Sequence, residues 1–499
     1  MLDPTRRSGV LLHPTSLPGP FGRGDLGPAA HAFLRDLAAA GQTVWQVLPL
    51  HPTGFGGSPY AGGSAFAGDP LLLSPELLLQ DGLIERAELE GLPRFAEGRL
   101  DFQAERPRRA LLRRMADRFR ARAGAEARAA LEQFREAQSY WVEDWALFAA
   151  MKDAHDLRAF WEWEPEGARR ALPGELRAAR RRHREAIEAE VLWQQLFFQQ
   201  WGRLRASARE LGVRIMGDVP IFVARDSADV WRHPALFCLD AQGELEVQAG
   251  VPPDAFSDDG QLWGNPLYDW KVHARTDWAW WTERLRVAIE LADMVRVDHF
   301  RGFASYWEVP ARDDTARGGR WLPGPRLSLF QALRRNLGCD LPIVAEDLGE
   351  VTPDVPDLLE ATGFPGMRIL QFAWDEDPEH PFKPENYDEN CVVYTGTHDN
   401  ETTAGWWAHQ QDEVKKRVLA RVGPAGPVWG LIELGLASRA FLALVPAQDL
   451  LELGNEARMN SPGKAQGNWL WRLLPGQLGE KPLARLRELS ERHRRVPGR

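Results

Sequence analysis

Five acidic residues close short apolar runs of this chain. Asp218 follows Val213-Arg-Ile-Met-Gly, Asp298 follows Met294-Val-Arg-Val, Glu346 follows Leu341-Pro-Ile-Val-Ala, Asp399 ends Cys391-Val-Val-Tyr-Thr-Gly-Thr-His, and Asp449 ends Phe441-Leu-Ala-Leu-Val-Pro-Ala-Gln. One carboxylate after a strand means little, because Asp also caps the helix that follows. Five on neighbouring strands would converge on one rim and repel, an arrangement kept only where function or bound cations use it.

The chemistry open to such a cluster is narrow. The chain has no Asp-x-Asp-x-Asp-Gly loop for calcium and no glycine-rich phosphate cradle. His299 and His398 lie on different runs, which makes a zinc site weak. Neither metal nor cofactor is expected. Paired carboxylates with aromatic neighbours and no cofactor motif suit glycosyl transfer. One acid protonates the leaving oxygen; a second carboxylate faces the anomeric carbon and, in retaining enzymes, attacks it, the two carboxyl groups lying about 5–5.5 Å apart. As the acid, Glu346 must start protonated, and the charge of Asp298 is expected to raise its pKa. Arg296 stands two residues before Asp298, so the strand's period of two points both side chains the same way and keeps Asp298 ionised.

Catalytic groups of this kind need a scaffold that brings strand ends together. Eight apolar runs qualify as strands: the five above and those beginning at Gly9, Val44 and Met367. Near-continuous apolar strands separated by helix-length segments indicate a parallel sheet covered on both faces, and eight of them a (β/α)₈ TIM barrel of the α/β class. The gap between the second and third strands, over residues 75–205, reads as a mainly helical insertion. Leu111, Met115 and Phe119 share one helix face; so do Trp141, Trp145 and Phe148, and Trp193, Leu196, Phe197 and Trp201. Residues 224–283, rich in Trp, Pro and Gly, read as a second insertion made mostly of loops. The whole of 1–499 is expected to be one catalytic barrel. The basic run Arg180–Arg184 reads as a solvated helix face flanked by acids.

Composition bounds the class. The net charge of −10 and pI near 5.7 argue against nucleic-acid binding. No apolar run reaches the ~20 residues of a membrane span, and the polar start has no signal core. Three widely spaced cysteines form neither a zinc motif nor a disulfide framework, pointing to reduced thiols and the cytoplasm. Arginine outnumbers lysine 54 to seven, as a GC-rich genome would produce. The 21 tryptophans offer stacking faces for sugars, although most are expected in the core.

An ordered set of motifs then makes the chain resemble the amylomaltases, or 4-α-glucanotransferases, of the α-amylase superfamily, over nearly its whole length. They are Leu12-His-Pro-Thr-Ser-Leu-Pro-Gly19, Ser58-Pro-Tyr60, Gly217-Asp-Val-Pro-Ile-Phe-Val223, Gly250-Val-Pro-Pro-Asp254, Trp263-Gly-Asn-Pro-Leu-Tyr268, Arg296-Val-Asp-His-Phe-Arg-Gly-Phe303, Ala345-Glu-Asp-Leu-Gly349, Thr395-Gly-Thr-His-Asp-Asn400 and Gly467-Asn-Trp469. The resemblance implies transfer of α-1,4-glucan segments among glucans and malto-oligosaccharides. It implies Asp298 as nucleophile, Glu346 as acid/base and Asp399 as third carboxylate. It further implies sugar contacts by Tyr60, Asp218, Arg296, His398, Trp263, Asn468, Phe372, Ser58, Asp254 and Phe256. A secondary glucan groove is expected at Phe55 and Phe102, where some relatives carry Tyr. A barrel without the C-terminal β-sandwich of ordinary α-amylases is implied, as a monomer or weak homodimer. Many relatives have an aromatic where this chain has Ala255, which weakens the acceptor loop. Hydrolysis of the same glucans by the same carboxylates is the competing expectation.

Overall fold

The computed structural model describes residues 5–253, 257–349, 352–464 and 466–496. Among them are twelve strands: β1 (Arg7–Leu11), β2 (Val44–Gln46), β3 (Arg214–Val219), β4 (Val247–Val251), β5 (Gln261–Pro266), β6 (Met294–Val297), β7 (Ser305–Pro310), β8 (Arg320–Pro323), β9 (Ile343–Ala345), β10 (Gly366–Ile369), β11 (Cys391–Tyr394) and β12 (Leu442–Pro446). Eight of these form one sheet in the order β10-β11-β12-β1-β2-β3-β6-β9, parallel at each paired step. The two ends of that order meet. Ala345 N–H donates to the Pro365 carbonyl at 2.9 Å, and Met367 N–H to Asp347 Oδ1 at 2.6 Å. The result is the expected (β/α)₈ barrel, nearly closed.

The pleat decides what lines the barrel. Val44, Met216, Met294, Val344, Met367, Val392, Tyr394 and Leu444 pack together in its interior. Side chains two residues further along each strand share that face. Met216 is thus followed by Asp218, Met294 by Arg296 and then Asp298, and Val344 by Glu346. An apolar floor passes upward into a charged rim along single strands. Register adds the lateral order: Met216 lies opposite Met294, Asp218 opposite Arg296, and Arg296 opposite Val344.

Between β2 and β3 the chain runs through helices that include Glu105–Arg122, Ala125–Ala137, Val142–Ala154, Pro173–Arg182 and Arg184–Glu210. The last of these buries Val191, Leu192, Leu196, Phe197, Trp201 and Leu204 along one side. Its buried Gln194 exchanges two hydrogen bonds of 2.9 Å with the backbone of Gly68, and so fastens the helix to the chain leaving β2.

Residues 224–283 hold more regular structure than their composition suggests. β4 and β5 lie there, and with β7 and β8 they build a four-stranded antiparallel sheet in the order β5-β4-β7-β8. Sequence reading misses them because β4 pairs with β7, a strand outside the segment, and because Gly264 interrupts β5 at φ 70°. Beyond β12 the described chain ends in the helix Glu480–Arg492. Among the described residues, no helix is long and apolar enough to cross a membrane.

Candidate active site

Arg296 is the hub of the rim. Its Nη1 donates to both oxygens of Asp218, at 2.9 and 2.8 Å, and its Nη2 to Asp298 Oδ1 at 2.9 Å. The Asp218 side chain is wholly enclosed and also accepts from the Tyr60 hydroxyl at 2.8 Å. Burial raises the Asp218 pKa to about 6 even against the pull of Arg296. Burial opposes the charge of Arg296 too, but Asp218 and Asp298 outweigh it and raise its pKa, keeping the guanidinium cationic. Asp298 is the open member, with its side chain 27% exposed.

Glu346 directly follows β9 and is 8% exposed. Its Oε2 accepts from His299 N–H at 2.6 Å and its Oε1 from Leu348 N–H at 2.9 Å. Burial pushes its pKa up to about 8, with Asp298 adding to the rise and Arg296 opposing it. The sequence argument credited Asp298 with the rise; enclosure is the larger cause, since an ionised carboxyl loses its water there. His299 takes a left-handed backbone, φ 48°, which aims its N–H at Glu346. The Trp263 ring meets the His299 ring edge-on at 4.7 Å.

Asp399 arrives from the loop after β11. Burial works against its charge, but His398 Nε2 at 3.2 Å and Asn460 Nδ2 at 2.6 Å overcome it and hold its pKa well below the usual carboxylate range. The His398 ring stacks on Tyr60, with centroids 5.1 Å apart and planes within 10°. Trp469 packs against both rings at 5.8 Å. Two carboxylates in opposite protonation states beside a third, Arg-held one make an arrangement suited to acid-assisted displacement at a sugar carbon.

Comparison with known proteins decides the family. The profile of a family described as 4-alpha-glucanotransferase matches residues 12–477. A 4-alpha-glucanotransferase of Thermus thermophilus is 47% identical over 98% of this chain and 99% of its own. One of Synechocystis sp. is 46% identical over 96% of each chain. The solved amylomaltase of Streptococcus agalactiae in complex with acarbose superposes with a TM-score of 0.95 at 37% identity, covering 98% of this chain and all of that one.

The chain belongs to the 4-alpha-glucanotransferase family.

Other residues expected to contact sugar in a 4-alpha-glucanotransferase fall into four groups. Ser58 sits beside Tyr60 and caps its turn, accepting from Tyr60 N–H at 3.2 Å. Phe372, Phe55 and Phe102 are solvent-facing, at 41%, 82% and 47% exposure. Gly57 lies so close under the Phe102 ring that any Cβ there would collide with it, which keeps Phe102 near the Phe55 turn. Asn468 has its polar ends engaged within its own loop: Oδ1 accepts from Ser461 N–H at 3.0 Å and Nδ2 donates to the Lys464 carbonyl at 2.8 Å. Asp254, Ala255 and Phe256 lie outside the described residues.

Asp449, the last of the five strand-end acids, acts as a clasp. Its buried carboxylate accepts from Thr395 Oγ1 and Thr403 Oγ1 at 2.6 Å each and from Thr403 N–H at 2.8 Å. It ties the chain just after β11 to the start of the helix Thr403–His409. Sequence reasoning also passed over Asn460, Arg458 and His13. His13 is enclosed, and its pKa is driven down to about 3 by burial first and by the Arg23 guanidinium next, so it stays neutral. Its place in Leu12-His-Pro-Thr-Ser was a signal; Asn460 carried none.

Proposed function

We propose that this protein is a 4-α-glucanotransferase that cuts an α-1,4-glucan and joins the retained segment to the 4-hydroxyl of an acceptor glucose or glucan. The Asp298 carboxylate attacks the anomeric carbon as the glycosidic bond breaks, and Glu346 gives its proton to the departing 4-oxygen. A covalent glycosyl-enzyme remains on Asp298. Glu346, now ionised, takes the proton of the acceptor hydroxyl, which attacks the same carbon and frees Asp298. Asp399, held ionised, grips sugar hydroxyls and favours the positive charge that develops on the ring.

The observation that carries this reading is the contrast between adjacent strand ends: an enclosed Glu346 with its pKa near 8 beside an Arg296-held Asp298 open to solvent. An acid at neutral pH and a ready nucleophile are what the two half-reactions need. Tyr60 stacked on His398 offers a flat face against which a sugar ring can pack. Trp263, Phe372, Asn468, Asp254 and Phe256 belong to the acceptor and flanking subsites in this reading, and Phe55 with Phe102 to a separate glucan groove. Its partners are soluble α-glucans and malto-oligosaccharides. Cytoplasmic placement belongs to the same reading, in keeping with three unpaired cysteines.

Maltotriose is the substrate that tests it. Transfer predicts glucose together with a ladder of longer chains, sized by chromatography. Products no longer than maltotriose would assign the same carboxylates to hydrolysis.

A further inference from the structure

Two residues remote in sequence brace Asp399. Asn460 Nδ2 donates to Asp399 Oδ1 at 2.6 Å, and the Asn460 backbone N–H donates to the His398 carbonyl at 3.0 Å. Arg458 Nη2 donates to the Asp399 carbonyl at 2.6 Å, while its Nε donates to the Asn460 carbonyl at 2.6 Å. An ionised carboxylate only accepts, so the amide nitrogen of Asn460 must face it. Between these two, Met459 turns the other way. It packs with Leu11, Leu48 and Trp469, and its carbonyl accepts Trp469 N–H at 2.7 Å. The alternation is that of an extended segment: residues 458 and 460 face Asp399, one at its backbone carbonyl and one at its carboxylate, and 459 faces the aromatic side.

We propose that Asn460 is a positioning residue for Asp399, and that Arg458 and Met459 fix Asn460 itself, so that the 458–460 segment aims the third carboxylate and sets the aromatic wall behind it. The inference deepens the functional reading and rests on Asp399 serving as the third carboxylate. His398 alone constrains one oxygen of Asp399; the second would swing without Asn460. The charged and titratable groups around Asp399 are His398 on its own loop, Arg296 and Asp298 on the β6 side, Tyr60 across the stack, and Arg458 at its backbone. Asn460 is a neutral donor to this carboxylate, so changing it alters aim and proton affinity without removing a formal charge.

Three variants test the proposal, each assayed with maltotriose across pH. Asn460→Ala is expected to lower kcat roughly ten- to a hundredfold while KM stays within about threefold. Asn460→Asp sets a second carboxylate against Asp399, and the acid limb of its kcat profile is expected to move up by about one pH unit or more, because like charges favour protonation. Thermal unfolding of the Asp variant, which keeps the side chain's shape, separates misfolding from mispositioning. A raised KM at unchanged kcat would make Asn460 a direct sugar contact and overturn the proposal, as would wild-type profiles in both variants. Asp399→Asn is the control. If it retains near-normal turnover, the role of Asp399 fails; if it is inactive while the Asn460 variants behave as wild type, only the positioning claim fails.

Discussion

Arg296 grips Asp298 through one guanidinium nitrogen, 2.9 Å from Oδ1, while its other terminal nitrogen is spent on the enclosed Asp218. The orientation of Asp298 therefore depends on a buried partner of Arg296, Asp218, on the neighbouring strand. Tyr60 completes the same assembly by donating to Asp218, which links the Tyr60–His398 stack to Asp298 through Arg296.

Lysine cannot reproduce that fork. Arg296→Lys keeps the charge but offers a single ammonium to two carboxylates. It is expected to lower kcat by roughly a hundredfold or more. Arg296→Ala would leave Asp218 buried without its partner and is expected to cost about 3–5 kcal/mol of stability. Steady-state kinetics and denaturant unfolding check the two outcomes.

Glu346 predicts a basic limb. In the proposed reaction its proton is the one given to the leaving oxygen, and burial pushes its pKa up to about 8, so kcat/KM should fall as pH rises through that value. Glu346→Gln should lose turnover by roughly a thousandfold or more while still binding maltoheptaose in a calorimeter. A variant with near-normal turnover on natural glucans would remove Glu346 from its role.

Glu190 makes a stability prediction away from the site. It is buried in the long helix Arg184–Glu210, its Oε2 finds no hydrogen-bond partner among the described residues, and burial raises its pKa to about 8. An unfolded glutamate releases its proton near pH 4.3. Between that pH and about 8 the unfolded chain has therefore lost a proton that the folded chain keeps, and stability declines as pH rises. Glu190→Gln should raise the melting temperature at pH 8, lose that advantage below about pH 4.5, and leave transfer activity unchanged. Equal melting temperatures across the whole range would refute the assignment.

The barrel and the centre of its rim were legible because both are written locally. Apolar runs of strand length, broken by helical segments, specify the eight parallel strands. The pleat's period of two then puts Met294, Arg296 and Asp298 on one face, whatever the rest of the chain does. Glu346 follows by the same rule from Val344. Asp399 was legible through its motif rather than through periodicity, since it lies beyond the end of β11.

What tertiary structure alone decided is which distant groups meet these side chains. Asn460 reaches Asp399 from 61 positions away, and Asp449 takes its three donors from residues 46 and 54 positions away. β4 takes one edge from β5 nearby and the other from β7, which returns beside it from outside the segment. The proton on Glu346 is likewise a tertiary property, because enclosure by the surrounding loops withdraws its water. Local periodicity orients a side chain; the path of the folded chain supplies its partners and its solvent, and those set its charge.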